Sequence, residues 1–178
     1  PPPPPILSGL VGSEMCIRDR DALNATGGHN QTGTIAIGQD ALGALTSGTG
    51  NTAVGYKALT GHDTGDRNTA IGYEAARLTD GNSSATPDSD DNTFVGYQAG
   101  GGDWNNTAAS NENTAIGSLA LNGALNAAHN NTCVGYKAGE VITSADYNVC
   151  VGASPGAAIT TGHSNVAVGN GAGDALST

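Results

Sequence analysis

Asn51-Thr52-Ala53-Val54-Gly55 is written again and again along this chain of 178 residues. It returns as Asn68–Gly72, Asn92–Gly96, Asn113–Gly117, Asn131–Gly135, Asn148–Gly152 and Asn165–Gly169, and a variant, Thr34–Gly38, opens the series. Between Gly38, Gly55, Gly72, Gly96, Gly117, Gly135, Gly152 and Gly169 the steps are 17, 17, 24, 21, 18, 17 and 17 residues. A recurring period decides the architecture before any local propensity does. Helical repeats need about 33 residues or more, whereas about 17 fits one coil of a parallel β-solenoid made of two short strands and two turns.

Each unit can be numbered from its glycine. The preceding residue is always Ile or Val: Ile37, Val54, Ile71, Val95, Ile116, Val134, Val151 and Val168. Two before it the residue is Ala or Cys, except for Phe94. Three before it stand Thr52, Thr69, Thr93, Thr114 and Thr132, or Ile35, Val149 and Val166. Alternate side chains of a strand point to opposite faces. The Ile/Val and Thr/Val/Ile columns therefore share one face, and the Ala and Asn columns share the other. The larger apolar side chains are expected inside. The Ala face is expected outside, where small residues let a neighbouring chain come close, most simply in a threefold bundle.

The fold expected is all-β: a parallel β-solenoid or β-roll of about eight 17-residue coils. Coils about 4.8 Å apart would make a rod about 38 Å long. The column Asn51, Asn68, Asn92, Asn113, Asn131, Asn148 and Asn165 is expected to form an amide ladder along the stack. The glycine column is expected to need a positive φ or a close backbone approach. One coil buries too few Val or Ile side chains, at about 1.5–3 kcal/mol each, to offset the ordering of its backbone at about 1–2 kcal/mol per residue. Coils must fold as a stack.

Residues 1–20 share none of this pattern, and Ser8–Arg20 resembles translated sequencing-adapter sequence, so the segment is set apart from the fold. Residues 21–178 form the repeat domain. Asp21-Ala22-Leu23 copies Asp40-Ala41-Leu42, and the chain stops within a unit at Asp174-Ala175-Leu176, so both ends are expected to be cuts through a longer array.

After the glycine, Tyr56, Tyr73, Tyr97 and Tyr136 fall in one column, expected to be a stacked aromatic ladder on the outer surface, with a sugar-stacking platform as the sharper reading. Leu45, Ile142, Ile159 and Leu176, seven after the glycine, are expected to mark the second strand. Two insertions break the period. Asp80–Asp91 includes the acidic residues Asp88, Asp90 and Asp91, and Gly101–Glu112 holds the only Trp, Trp104, beside Asp103 and Asn105. Insertions in solenoids go to loops on one face, often the binding face. Asp88, Asp90, Asp91, Asp103, Trp104 and Asn105 are thus the candidate attachment residues. The alternative for Trp104 is a side chain folded back on the rod.

With 6 basic and 16 acidic residues the net charge is −10, which argues against nucleic acid and anionic membrane surfaces as partners. No apolar run approaches a membrane span. His29, His62, His129 and His163 fall in inter-strand turns with no ligand at zinc spacing. No nucleophile, phosphate-loop or cofactor motif occurs, so no catalytic residue, metal or cofactor is expected. Cys133 and Cys150 occupy one column in consecutive coils, and free, stacked thiols are expected there.

Thr34-Ile35-Ala36-Ile37-Gly38 and Ser164-Asn165-Val166-Ala167-Val168-Gly169 resemble the head repeats of trimeric autotransporter adhesins, a left-handed parallel β-roll of three chains. The fuller Asn-Thr-Ala-Val-Gly-Tyr-x-Ala form is similar to repeats of phage tail-fibre-like proteins that end in a self-cleaving chaperone. The resemblance implies a non-catalytic, homotrimeric attachment module. It would sit outside the cell, on a cell surface or virion fibre, and bind a host surface glycan or protein receptor. Two rivals come from other classes. An ice-binding solenoid needs an outward Thr-x-Thr pair on a flat face, and here the Thr column shares its face with Ile and Val, is replaced by Ile35, Val149 and Val166, and is expected to point inward. A polysaccharide-cleaving fibre enzyme needs paired carboxylates about 5–9.5 Å apart, for which Asp63 with Asp66 or Asp80 with Asp103 are the candidates.

Overall fold

The computed structural model describes residues 16–18, 22–23, 31–79, 88–104 and 108–176. Each coil contributes one three-residue strand: β1 (Cys16–Arg18), β2 (Ile35–Ile37), β3 (Thr52–Val54), β4 (Thr69–Ile71), β5 (Thr93–Val95), β6 (Thr114–Ile116), β7 (Thr132–Val134), β8 (Val149–Val151) and β9 (Val166–Val168). They form a single sheet in sequence order, and every neighbouring pair is parallel. β1 comes from the segment that the sequence sets apart and lies against β2, with Cys16 opposite Ile35. Equivalent residues stand opposite one another even across the 24-residue step, where Thr69 pairs with Thr93, so the longer unit does not shift the register. The chain is an all-β parallel solenoid.

The faces of the strands are the reverse of the expectation. Ala36, Ala53, Ala70, Phe94, Ala115, Cys133 and Cys150 are fully buried, while the flanking Thr, Ile and Val side chains are half-buried or exposed. The reason is steric. A short coil encloses a narrow interior, and the large side chains filling it come from the opposite wall: Leu42, Leu45, Leu59, Leu121, Leu125, Ile142 and Ile159. Only a small residue on the strand leaves room for them.

The size relation is reciprocal. Where the strand carries Ala36, Ala53 or Ala115, the fourth residue after the glycine is Leu42, Leu59 or Leu121. Where it carries Phe94, Cys133 or Cys150, that residue is Gly100, Gly139 or Gly156. A Cβ on Gly139 would lie 2.5 Å from the Cys133 sulfur, and one on Gly156 would lie 2.6 Å from that of Cys150. On these six rungs the two positions share one space, whereas the Ala70 rung carries a second small residue, Ala76, and the Ala167 rung carries Gly173.

The second strand expected at Leu45, Ile142, Ile159 and Leu176 does not form. Their amides bond back three residues, to Leu42, Gly139, Gly156 and Gly173, which makes a turn. The turn begins at a left-handed residue, with φ 50° at Leu42, 51° at Leu59 and 61° at Gly139. Leucine in that region costs about 1–2 kcal/mol, and its complete burial offsets about as much. Leu45, Ile142 and Ile159 are core residues, whereas Leu176 is exposed.

The key glycines have φ between 124° and 141°. A Cβ on Gly96 would stand 2.5 Å from the Gly117 carbonyl oxygen of the next coil, so the column has no room for a side chain.

Candidate functional site

Two polar ladders fix the strands in space. In the first, each asparagine Oδ1 accepts from the backbone N–H and the side-chain amide of the next asparagine. Asn92 Oδ1 lies 3.0 Å from Asn113 N and 3.1 Å from its Nδ2. The same Nδ2 donates to the Ala128 carbonyl at 2.8 Å. The pattern repeats from Asn51 to Asn165. Ladder asparagines from Asn51 to Asn148 are buried. Buried amides need such partners.

The second ladder is one that sequence reasoning missed. It lies two residues before the asparagines and runs in the opposite sense, each side chain accepting from the backbone N–H of the preceding coil. Asp66 Oδ1 takes Thr49 N at 2.7 Å, Asp90 Oδ1 takes Asp66 N at 2.7 Å, and Asn111 Oδ1 takes Asp90 N at 2.8 Å. His129 Nδ1 takes Asn111 N at 3.2 Å, Asp146 Oδ1 takes His129 N at 2.7 Å, and His163 Nδ1 takes Asp146 N at 3.0 Å. Acceptance at Nδ1 places the proton of each neutral imidazole on Nε2. The signal was present, because every residue of that column from Thr49 to His163 carries an acceptor.

The ladder accounts for some of the candidate attachment residues. Asp90 is one of its rungs. Asp91 pairs with Arg67 through two bonds, 2.6 and 2.7 Å long, and the Arg67 hydrogen bond holds its carboxyl below the usual carboxylate range. Asp88 accepts from the Thr64 hydroxyl. Asp103 is exposed and lies 3.5 Å from Arg77. Trp104 takes the second of its two readings, a side chain folded back on the rod. It is completely buried, edge-on to Phe94 with ring centroids 5.7 Å apart, and so fills the core beside the one bulky strand residue. Asn105 lies outside the described residues. His62 also belongs to the core. It is buried, with Nδ1 2.9 Å from Thr79 Oγ1 and Nε2 3.2 Å from Asn68 Nδ2.

No group of three or more His, Cys, Asp or Glu among the described residues is arranged to hold a metal ion. Of the carboxylates considered for glycan cleavage, Asp66 has Oδ1 engaged in the second ladder, and Asp80 lies outside the described residues. Cys133 and Cys150 are free, buried and directly opposite one another in the sheet. The hydrogen bond with the Cys150 thiol, and then burial, push the Cys133 thiol up. No helix among the described residues is long and apolar enough to cross a membrane.

Two surfaces remain outside these internal networks. The first is the outward face of the sheet. Its rungs each present one Thr, Ile or Val beside one Ile or Val, with Ile71 41 %, Ile116 42 % and Val168 64 % exposed. The second is the tyrosine column next to it. Tyr56 stacks on Tyr73 at 5.0 Å and Tyr73 on Tyr97 at 5.7 Å, and Tyr136 stands alone two rungs further on. Partial burial in the stack, and then Glu74, push the Tyr73 phenol up. Lys57 and Lys137 place their ammonium groups 5.2 and 5.7 Å from the Tyr56 and Tyr136 ring centres. No protein-family model, curated protein or solved structure matches the chain.

Proposed function

We propose that this chain is a non-catalytic module of an elongated homotrimeric fibre, carried outside the cell on a cell surface or a virion, that presents its loops and tyrosine column for attachment to a host glycan or protein. This keeps the resemblance to trimeric autotransporter adhesin heads and changes the surface through which chains meet. The Ala column is spent inside each coil, so the contact between chains falls to the Thr/Ile/Val face. The observation that carries the reading is the continuity of that face, whose Thr, Ile and Val side chains stay in register on every rung from β2 to β9. Eight rungs of about 4.8 Å, each two outward side chains wide, make a strip of about 400 Å², the size at which exposed apolar patches tend to be functional.

One observation favours a second reading. Thr52, Thr69, Thr93, Thr114 and Thr132 point outward beside Val54, Ile71, Val95, Ile116 and Val134, in a regular array of hydroxyl and methyl groups. These outward hydroxyls supply one of the two Thr columns of the Thr-x-Thr pair that an ice-binding solenoid needs, with Val or Ile in the other, and ice binding requires the face to stay free.

The solution mass by analytical ultracentrifugation separates the two. A trimer that dissociates when Ile71 and Ile116 are both changed to Lys supports the fibre module. A stable monomer of the unaltered chain overturns it, and thermal hysteresis from that monomer would then establish the ice-binding reading.

A further inference from the structure

The tyrosine column has a gap of one rung. Backbone bonds from Leu119 N to the Tyr97 carbonyl at 2.8 Å, and from Lys137 N to the Ser118 carbonyl at 2.9 Å, hold Tyr97, Ser118 and Tyr136 on three successive rungs. Where rungs adjoin, tyrosine rings stack at 5.0 and 5.7 Å. At the Ser118 rung the ring is missing. Tyr97 and Tyr136 are therefore two rungs apart, about 10 Å. That distance admits one more ring, stacked at about 5 Å on each side. Tyr97 and Tyr136 are 49 % and 53 % exposed, so the slot opens to solvent.

We propose that this slot binds a hexopyranose ring of a surface glycan, the sugar taking the place of the absent tyrosine. The chemistry of the walls selects a sugar over a plain aromatic ring. The two tyrosine faces are electron-rich and suit the C–H faces of a pyranose. The floor is the Ser118 hydroxyl, which takes no hydrogen-bond partner among the described residues. Gln98, half-buried Leu119 and Lys137 are the residues next in sequence to Tyr97, Ser118 and Tyr136 on the same three rungs. Lys137 is held by Glu140 at 3.0 Å, and Gln98 by Glu74 at 2.8 Å, so both polar groups are positioned in advance. An aromatic ligand would cover the Ser118 hydroxyl without bonding it, whereas a sugar's rim hydroxyls meet it. One shallow slot binds weakly, and three copies on a trimer would bind a repeating polymer through avidity.

The proposal deepens the attachment reading and rests on it. The test is saturation-transfer NMR on the full chain with methyl β-D-glucopyranoside, methyl β-D-galactopyranoside and N-acetylglucosamine as probes. Ser118→Tyr fills the slot with the residue that the column carries on four other rungs, so the fold tolerates it. Transfer to sugar ring protons is expected in the unaltered chain, and at least fivefold weaker in Ser118→Tyr and Tyr136→Ala. No transfer to any of the three sugars, or equal transfer in Ser118→Tyr, overturns the proposal. Ultracentrifugation of the same samples keeps the two readings apart. A trimer without sugar binding refutes the slot alone, and a monomer that binds sugar refutes the trimer alone.

Discussion

Replacing Asn113 by Ala tests whether the amide ladder, more than the thin apolar core, holds consecutive coils together. Asn113 is fully buried. Its Nδ2 donates to Asn92 Oδ1 at 3.1 Å and to the Ala128 carbonyl at 2.8 Å, and its Oδ1 accepts from Asn131 N and Nδ2, both at 3.0 Å. Truncation removes all four bonds, but their losses differ in kind. Asn92 Oδ1 keeps the Asn113 backbone N–H at 3.0 Å, and Asn131 Nδ2 keeps the Ala145 carbonyl at 2.7 Å. The Ala128 carbonyl and the Asn131 N–H are left buried and alone. Each orphaned group costs about 1–3 kcal/mol, so the expected loss is about 4 kcal/mol. Asn165→Ala is the control. That residue gives one side-chain bond, to Asn148 Oδ1 at 3.0 Å, and its truncation orphans nothing, because Asn148 Oδ1 keeps the Asn165 N–H at 2.9 Å. Its loss should stay below about 1 kcal/mol. Urea unfolding followed by circular dichroism measures both. If the two variants fall within about 1 kcal/mol of each other, the ladder is incidental and the reasoning fails.

Three further outcomes are expected. Phe94→Ala should cost about 3–5 kcal/mol, and adding Gly100→Leu should recover part of it by restoring the Ala-with-Leu pairing of the Ala53 rung; thermal melts of both single variants and the double variant check this, and strictly additive losses would refute the pairing. Thr34 stands buried at the head of the asparagine column with an unpartnered hydroxyl, so Thr34→Asn should add about 1–2 kcal/mol by accepting from Asn51, readable as a higher urea midpoint. Cys133 and Cys150 should resist a thiol-specific chromogenic reagent at pH 8 in the folded chain and react at once in urea, since both sulfurs are buried beyond the reagent's reach; rapid reaction of the native protein would contradict that.

The period and the parity of the columns were legible in the sequence, and so was the parallel stack. Which face pointed inward was not. Alternation says that Ala53 and Val54 part company and leaves open which one enters the coil. Hydrophobicity alone favours Val54, and the structure favours Ala53 because Leu59 crosses the interior from the other wall. The clue lay in the inverse sizes of residues six apart, Ala53 with Leu59 against Phe94 with Gly100, which reveals two side chains competing for one space. For Trp104 the sequence offered both an exposed and a folded-back side chain, and the structure packs it edge-on against Phe94. The second polar ladder escaped because Asp, Asn and His look unrelated until a shared acceptor role joins them.

The parallel stack also determines how the rod yields under load. Tension along its axis pulls successive coils apart, so the chain peels from an end, one coil at a time, while the remaining rungs stay intact. Each regular 17-residue coil releases about 55–60 Å of extended chain, and the 24-residue coil between Gly72 and Gly96 about 80 Å. A force–extension trace should therefore show an evenly spaced sawtooth interrupted by two adjacent longer steps, one from this coil and one from the 21-residue coil between Gly96 and Gly117, whose place in the series reports how far the peeling has travelled.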